Sequence, residues 1–172
     1  MNDLWSHNTE RRIYVDCDGV LADFDTHFED HIGLKSSHYE STHGSKRFWE
    51  TIQHEFDQFF YHLPKMPDAV ELMSILKSYG FRPIILTGCP RGDWSRVQKL
   101  RWAEKHFPGI PMITCISANK RDYCHPGDVL IDDMLTHRQK WVDAGGVYIH
   151  HTSAKNSIML LQEEGIIDTF GL

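Results

Sequence analysis

Basic residues are in short supply. The 172-residue chain carries 18 Lys and Arg against 24 Asp and Glu, a formal net charge of −6, which is the wrong sign for a protein whose affinity would come from neutralising many phosphates. Duplex nucleic acid is therefore a poor candidate partner. A single phosphate could still bind, provided that a local cation, most simply a divalent metal held by carboxylates, offsets the charge. No apolar run approaches the length of a membrane span. The N-terminal MNDLWSHNTERR has neither the basic start nor the apolar stretch of a secretory signal, so the expectation is a cytoplasmic protein with no membrane partner. C-x-x-C pairs are also missing: Cys17, Cys89, Cys115 and Cys124 stand far apart, which suits free thiols in a reducing compartment better than a disulfide framework or a zinc site. Internal repeats, low-complexity tracts and long linkers are absent. With 41% hydrophobic and 24% charged residues, global disorder is excluded and one compact domain with a small insertion is expected.

What is present alternates between two periodicities. The run Ile13-Tyr14-Val15 leads into the acidic cluster Asp16-Cys17-Asp18-Gly19, which reads as a strand followed by a sharp turn. Ala69, Leu72, Met73 and Leu76 recur at helical spacing, with Asp68 and Glu71 resembling a capping box and Gly80 a stop signal. A strand is predicted from Pro83 to Thr87. After the loop from Gly88 to Asp93, residues Trp94, Val97, Leu100, Ala103 and Phe107 predict a helix ended by Pro108 and Gly109. Further strands are predicted over Met112 to Ile116, Asp128 to Asp132 and Val147 to Ile149, with a helix carrying Met134, Leu135, Arg138, Trp141 and Val142 between the last two. Such alternation, with strands that are nearly continuous apolar runs, predicts an α/β fold with a parallel sheet covered on both faces. The stretch 24–63 interrupts it. This segment is rich in histidine and aromatics, lacks a strand, and predicts helices near 22–32 and 45–61.

In an open parallel sheet, ligands bind beyond the carboxyl ends of the strands. Asp16 and Asp18 follow the first strand, Thr87 ends the second, and Asp132 and Asp133 end another, so these polar groups should converge on one edge. Clustered carboxylates repel unless a cation or a raised pKa relieves them. Hard oxygen ligands favour Mg²⁺ over a soft metal. His27 and His31, one helical turn apart, read as a surface pair, and Arg91, Arg96 and Arg101 as a solvated face from which Arg91 could approach a substrate.

The segment Val15-Asp16-Cys17-Asp18-Gly19-Val20-Leu21-Ala22-Asp23-Phe24 resembles the first motif of the haloacid dehalogenase-like phosphatases. Thr87-Gly88 resembles the second motif, Lys120 the motif lysine, and Ile131-Asp132-Asp133 the acidic fourth motif, in matching order over roughly residues 12–150. The opening motif, Phe48-Trp49-Glu50 and the L-I-D-D ending are most similar to the 5′(3′)-deoxyribonucleotidases and their bacterial and phage relatives. The resemblance implies a Rossmann-like three-layer sandwich. Its α/β core would comprise residues 1–23 and 64–172, with a small helical cap, 24–63, inserted after the first strand.

It also implies a Mg²⁺-dependent phosphomonoester hydrolase acting on nucleoside monophosphates. Asp16 would be the nucleophile and carry an aspartyl-phosphate, and Asp18 would act as general acid and then base. Asp16, Asp18, Asp132 and Asp133 would serve the metal, Asp18 through its backbone carbonyl. Thr87 would hydrogen-bond a phosphoryl oxygen, and Lys120 would pair with Asp16 and the phosphate, with Arg121 as a competing cation. Phe24, Phe48 and Trp49 would line the pocket for the base. Gly88 stands where the nucleotidases typically have a second hydroxyl, so a phosphate contact there is either missing or made by the backbone. A homodimer is compatible with this reading. Its rivals are a phosphatase for sugar phosphates or other small phosphomonoesters, a receiver-like phosphoacceptor domain, and a catalytically silent binding protein.

Overall fold

The computed structural model describes residues 11–168; most of the N-terminal segment considered above lies outside them. Five strands form one parallel sheet: β1 (Ile13–Val15), β2 (Ile84–Gly88), β3 (Met112–Cys115), β4 (Val129–Asp132) and β5 (Val147–His150), in the order β3-β2-β1-β4-β5. Side chains alternate across a strand, and that alternation divides the core in two. Ile13, Val15, Ile85, Val129, Ile131 and Ile149 point into one apolar cluster. Tyr14, Leu86, Leu130 and Tyr148 point into the other, with Trp141 packed edge-on to Tyr14. Both faces are covered, which is why the strands read as unbroken apolar runs rather than alternating ones.

Helices α4 (Ala69–Ser78), α5 (Trp94–His106) and α7 (Ala154–Glu163) cover the first face, and α6 (Arg138–Asp143) with a 3₁₀ helix (Ser117–Tyr123) covers the second. The α4 positions expected to be apolar are all buried. Its expected capping box is not formed. Asp68 makes no side-chain cap on α4; its Oδ2 instead accepts from Ala154 N at 2.6 Å, at the start of α7. On α5 the expected stripe is displaced: Val97 is half exposed, and the buried face is Ser95, Lys99, Trp102 and Ala103. The helix expected from Met134 starts only at Arg138. Asp132 Oδ1 takes the Met134 N–H at 2.9 Å, a local turn bond that competes with helix formation.

The stretch after β1 holds three helices, α1 (Phe24–Ile32), α2 (Ser36–His43) and α3 (Ser45–His54). Two helices were expected there. α2 buries only Tyr39 and so carries no apolar stripe to read, while α3 stops well short of residue 61. Phe24, Phe28, Phe48, Phe56 and Phe59 pack ring against ring, with centroids 4.8–6.5 Å apart. His27 and His31 lie against Phe59 and Phe56. The segment begins and ends at one place: Asp23 N donates to Pro64 O at 2.8 Å, and Met66 N donates to Leu21 O at 2.8 Å.

The sheet order also decides one rival. Receiver domains have the order 2-1-3-4-5, whereas here β2 and β3 lie on one side of β1, and β4 and β5 on the other. The chain reverses direction across the sheet between β1 and β4, which is the switch point where such sheets open a crevice.

Candidate active site

Asp16 immediately follows β1 and Asp132 ends β4, the two strands at the switch point. Val15 is in register with Ile131, and Asp16 N donates to Ile131 O at 2.9 Å, so the sheet itself brings the two carboxylates together. Lys120, from the 3₁₀ helix after β3, lies between them, with Nζ 2.9 Å from Asp16 Oδ1 and 2.8 Å from Asp132 Oδ2. All three are buried. Burial alone would lower the Lys120 pKa, but Asp16 and Asp132 outweigh it and raise it, so the side chain is a fixed cation. Arg121, its competitor in the sequence, is exposed; the cation that reaches the aspartates is Lys120.

Asp16 Oδ1 also accepts from Cys17 N at 2.8 Å, which fixes the carboxylate's orientation. Asp18 is held from the other side: Lys99 Nζ on α5 lies 2.5 Å from Asp18 Oδ2, while Asp18 Oδ1 is buried without a hydrogen-bond partner among the described residues. Burial raises the Asp18 pKa, against the opposing pull of Lys99. Asp132 and Asp133 are also raised, by burial first and by the charge of Asp16 second. In the turn after β1, Gly19 takes φ +81°, and a Cβ there would fall 2.1 Å from Asp133 Oδ2. The turn after β1 therefore needs glycine for its backbone and for the space given to Asp133.

Asp16, Asp132 and Asp133 each offer an oxygen, all within 4.8 Å of one another. Asp133 Oδ1, like Asp18 Oδ1, is buried and unpartnered among the described residues. Orphaned carboxylate oxygens, raised pKa values and an all-oxygen donor set together fit a hard divalent cation.

The carboxylates face a cavity of about 420 Å³ whose opposite wall is Phe24, Phe48 and Trp49 with Ser36, Ser37 and Glu40. A second cavity of about 710 Å³ adjoins it, lined by Lys46, Trp49, Arg91, Lys99 and His137. Of the three expected aromatics, Phe48 is only 4% exposed and packs on Phe24 and Phe28, whereas Trp49 is partly exposed and borders both cavities. Gly88 borders both as well. Thr87 does not line either cavity. It is fully buried, and its Oγ1 accepts from Lys99 Nζ at 3.0 Å.

Sequence reasoning missed Lys99, Ser117 and His137. Lys99 could have been found as the one charged residue on the Ser95-Lys99-Trp102-Ala103 stripe, which also has helical spacing. Ser117 and His137 stand in loop-like stretches that carry no periodic signal.

No curated protein sequence matches the chain. Among solved structures, it is similar to a hydrolase from Streptococcus pneumoniae TIGR4, with 14% identity and a TM-score of 0.50 over 91% of this chain and 99% of the other. It is also similar to a HAD family hydrolase from Deinococcus radiodurans R1 with bound phosphate and sodium, with 15% identity and a TM-score of 0.52 over 91% and 97% of the two chains. These likenesses establish the fold. The family model for the 5′ nucleotidase, deoxy (Pyrimidine), cytosolic type C protein matches residues 10–160. With its motifs on a haloacid dehalogenase-like sheet and its carboxylates gathered at the switch point, the chain belongs to that nucleotidase family and is a phosphatase.

Proposed function

We propose that the protein is a Mg²⁺-dependent 5′(3′)-deoxyribonucleotidase that hydrolyses nucleoside monophosphates through an aspartyl-phosphate on Asp16. The observation that carries this reading is the Asp16-Lys120-Asp132 cluster, with Asp18 two residues on and its Oδ1 free, facing a cavity walled by aromatics. Asp16, Asp132 and Asp133 would hold the metal with the Asp18 carbonyl, and the bound ion would offset charge between carboxylate and phosphate.

The chain's own residues account for the steps. Lys120 and the Cys17 N–H hold Asp16 through Oδ1, leaving its second oxygen to attack phosphorus. The bond from phosphorus to the nucleoside oxygen breaks as Asp18 passes its proton to that oxygen. Burial raises the Asp18 pKa against the pull of Lys99, which favours its carrying that proton when a substrate fills the site. Water then attacks the phosphoryl group while Asp18 takes up the water's proton. The bond to Asp16 breaks, releasing phosphate and regenerating the carboxylate.

Residues 24–63 act as a cap, and Trp49, the more exposed of the aromatics, stacks on the base. Closure of the cap over the crevice keeps bulk water away while the leaving group departs. The test is phosphate release from a panel of ribonucleotides, deoxyribonucleotides and sugar phosphates, with and without Mg²⁺. Turnover should require the metal and favour deoxyribonucleotides, and Asp16→Asn should abolish it without altering the circular dichroism spectrum. Full turnover by Asp16→Asn would require another nucleophile, and an equal preference for sugar phosphates would move the substrate class.

A further inference from the structure

We infer that Ser117 is the side-chain hydroxyl that binds the phosphoryl group, occupying the space that Gly88 leaves open. Gly88 ends β2 beside Cys115 of β3, and Ser117 opens the 3₁₀ helix that follows β3. A Cβ built on Gly88 would fall 1.8 Å from Ser117 Oγ and 2.9 Å from Ser117 Cβ. The Ser117 hydroxyl therefore stands where a side chain from position 88 would otherwise project. Both residues border the two cavities at the carboxylate cluster, and Ser117 is exposed to them.

Two further relationships set its direction. In a 3₁₀ helix, residues three apart eclipse one another, so Ser117 shares a face with Lys120, whose Nζ is 2.9 Å from Asp16 Oδ1. On its other flank, Gly88 O accepts from Lys99 Nζ at 2.7 Å, and the same Nζ is 2.5 Å from Asp18 Oδ2. Ser117 is thus bracketed by the groups that hold Asp16 and those that hold Asp18. Among the neighbouring hydroxyls, Ser37 and Thr136 border only the smaller cavity, whereas Ser117 borders both and stands against Gly88. Thr87 is fully buried against Lys99, and Ser36, on the insertion, donates to Asp25. A neutral donor is useful here because it hydrogen-bonds a phosphoryl oxygen without competing with Lys99 and Lys120 for the carboxylates they hold.

This rests on the reading of Asp16 as the attacking carboxylate, and the experiment separates the two. In the full-length protein, Ser117→Ala should lower kcat/KM by about tenfold to a hundredfold. It should weaken competitive inhibition by inorganic phosphate in parallel and leave the melting temperature unchanged. Gly88→Ser alone should be impaired by collision with Ser117, and the exchange Ser117→Gly with Gly88→Ser should recover at least about tenfold over Ser117→Gly. Wild-type kcat/KM and phosphate affinity in Ser117→Ala overturn the inference, whatever the exchange variant does. Asp16→Asn is measured alongside: its retained turnover would remove the nucleophile assignment, whereas an inactive Asp16→Asn beside an unaffected Ser117→Ala would remove Ser117 alone.

Discussion

Lys99 Nζ lies 2.5 Å from Asp18 Oδ2, and this contact ties α5 to the turn after β1. Lys99 is 2% exposed, bonds Thr87 Oγ1 and Gly88 O as well, and sits 4.5 Å from the centre of the Phe60 ring. One ammonium thus joins the insertion, the end of β2 and the acidic turn. Removing it leaves Asp18 with an uncompensated, largely buried charge. Lys99→Met should cost about 3 kcal/mol of stability in urea denaturation. Adding Asp18→Asn should recover part of that loss, and strict additivity of the two changes would show that the pair is not coupled.

The raised carboxylates predict the pH behaviour of the metal-free protein. Asp132 and Asp133 hold their protons in the fold to higher pH than the ordinary value of 3.8. From 3.8 up to about 6 for Asp132 and about 8 for Asp133, these two groups bind more protons in the native state than in the unfolded one, so their contribution to stability falls as pH rises, against the buried or half-buried histidines His27, His106, His137 and His151, whose lowered pKa values work the other way. Asp133→Asn, which removes the larger of the two contributions, should raise the melting point of metal-free protein more at about pH 8 than at about pH 5, and Mg²⁺ should raise that of the wild type more at the higher pH. A Mg²⁺ effect equal at both pH values would argue that these carboxylates do not bind the ion.

Gly19→Ala meets two obstacles, a φ of +81° and an intended Cβ position 2.1 Å from Asp133 Oδ2. The backbone alone costs about 1 kcal/mol, and relief of the clash must displace Asp133. The variant should therefore require more Mg²⁺ for half-maximal activity as well as melting earlier. A lowered melting point with an unchanged Mg²⁺ requirement would detach Asp133 from the metal.

Phe48 and Trp49 are neighbours in sequence with different duties. Phe48, 4% exposed, is part of the aromatic core of the insertion. Phe48→Ala should lose about 3–5 kcal/mol of stability. Trp49→Ala should keep most of its stability and instead raise KM for nucleotides while sparing a small aryl phosphate. Equal losses on both substrates would remove base stacking from its role.

The parts of the molecule that were legible in the sequence are those where one force dominates. β1 and β4 are buried on both faces, so Ile13-Tyr14-Val15 and Val129-Leu130-Ile131 announce themselves as apolar runs, and the carboxylates behind them follow from the edge at which parallel strands end. Where two forces compete, the reading slips. α5 carries two candidate stripes, and the one chosen by hydrophobicity lost to the one containing Lys99, because Asp18 and Thr87 supply its ammonium with partners that no local pattern reveals. Helix α2 buries Tyr39 alone, whose hydroxyl pairs with Thr51 at 3.0 Å across to α3. Asp132 defeats the expected early start of α6 by taking the Met134 N–H. The proximity of Ser117 to Gly88 depends on how β2 and β3 align, a relationship between segments that neither one encodes separately.

The chain passes into and out of its three-helix insertion through residues already bonded to each other, Asp23 N to Pro64 O at 2.8 Å. Any segment whose two ends meet at that spacing could be spliced in without moving β1 or α4. Under the proposed role as a cap, the insertion would be an exchangeable cassette, able to change selectivity for the leaving group provided that its replacement keeps the contacts that Phe60 and Leu63 make with α5.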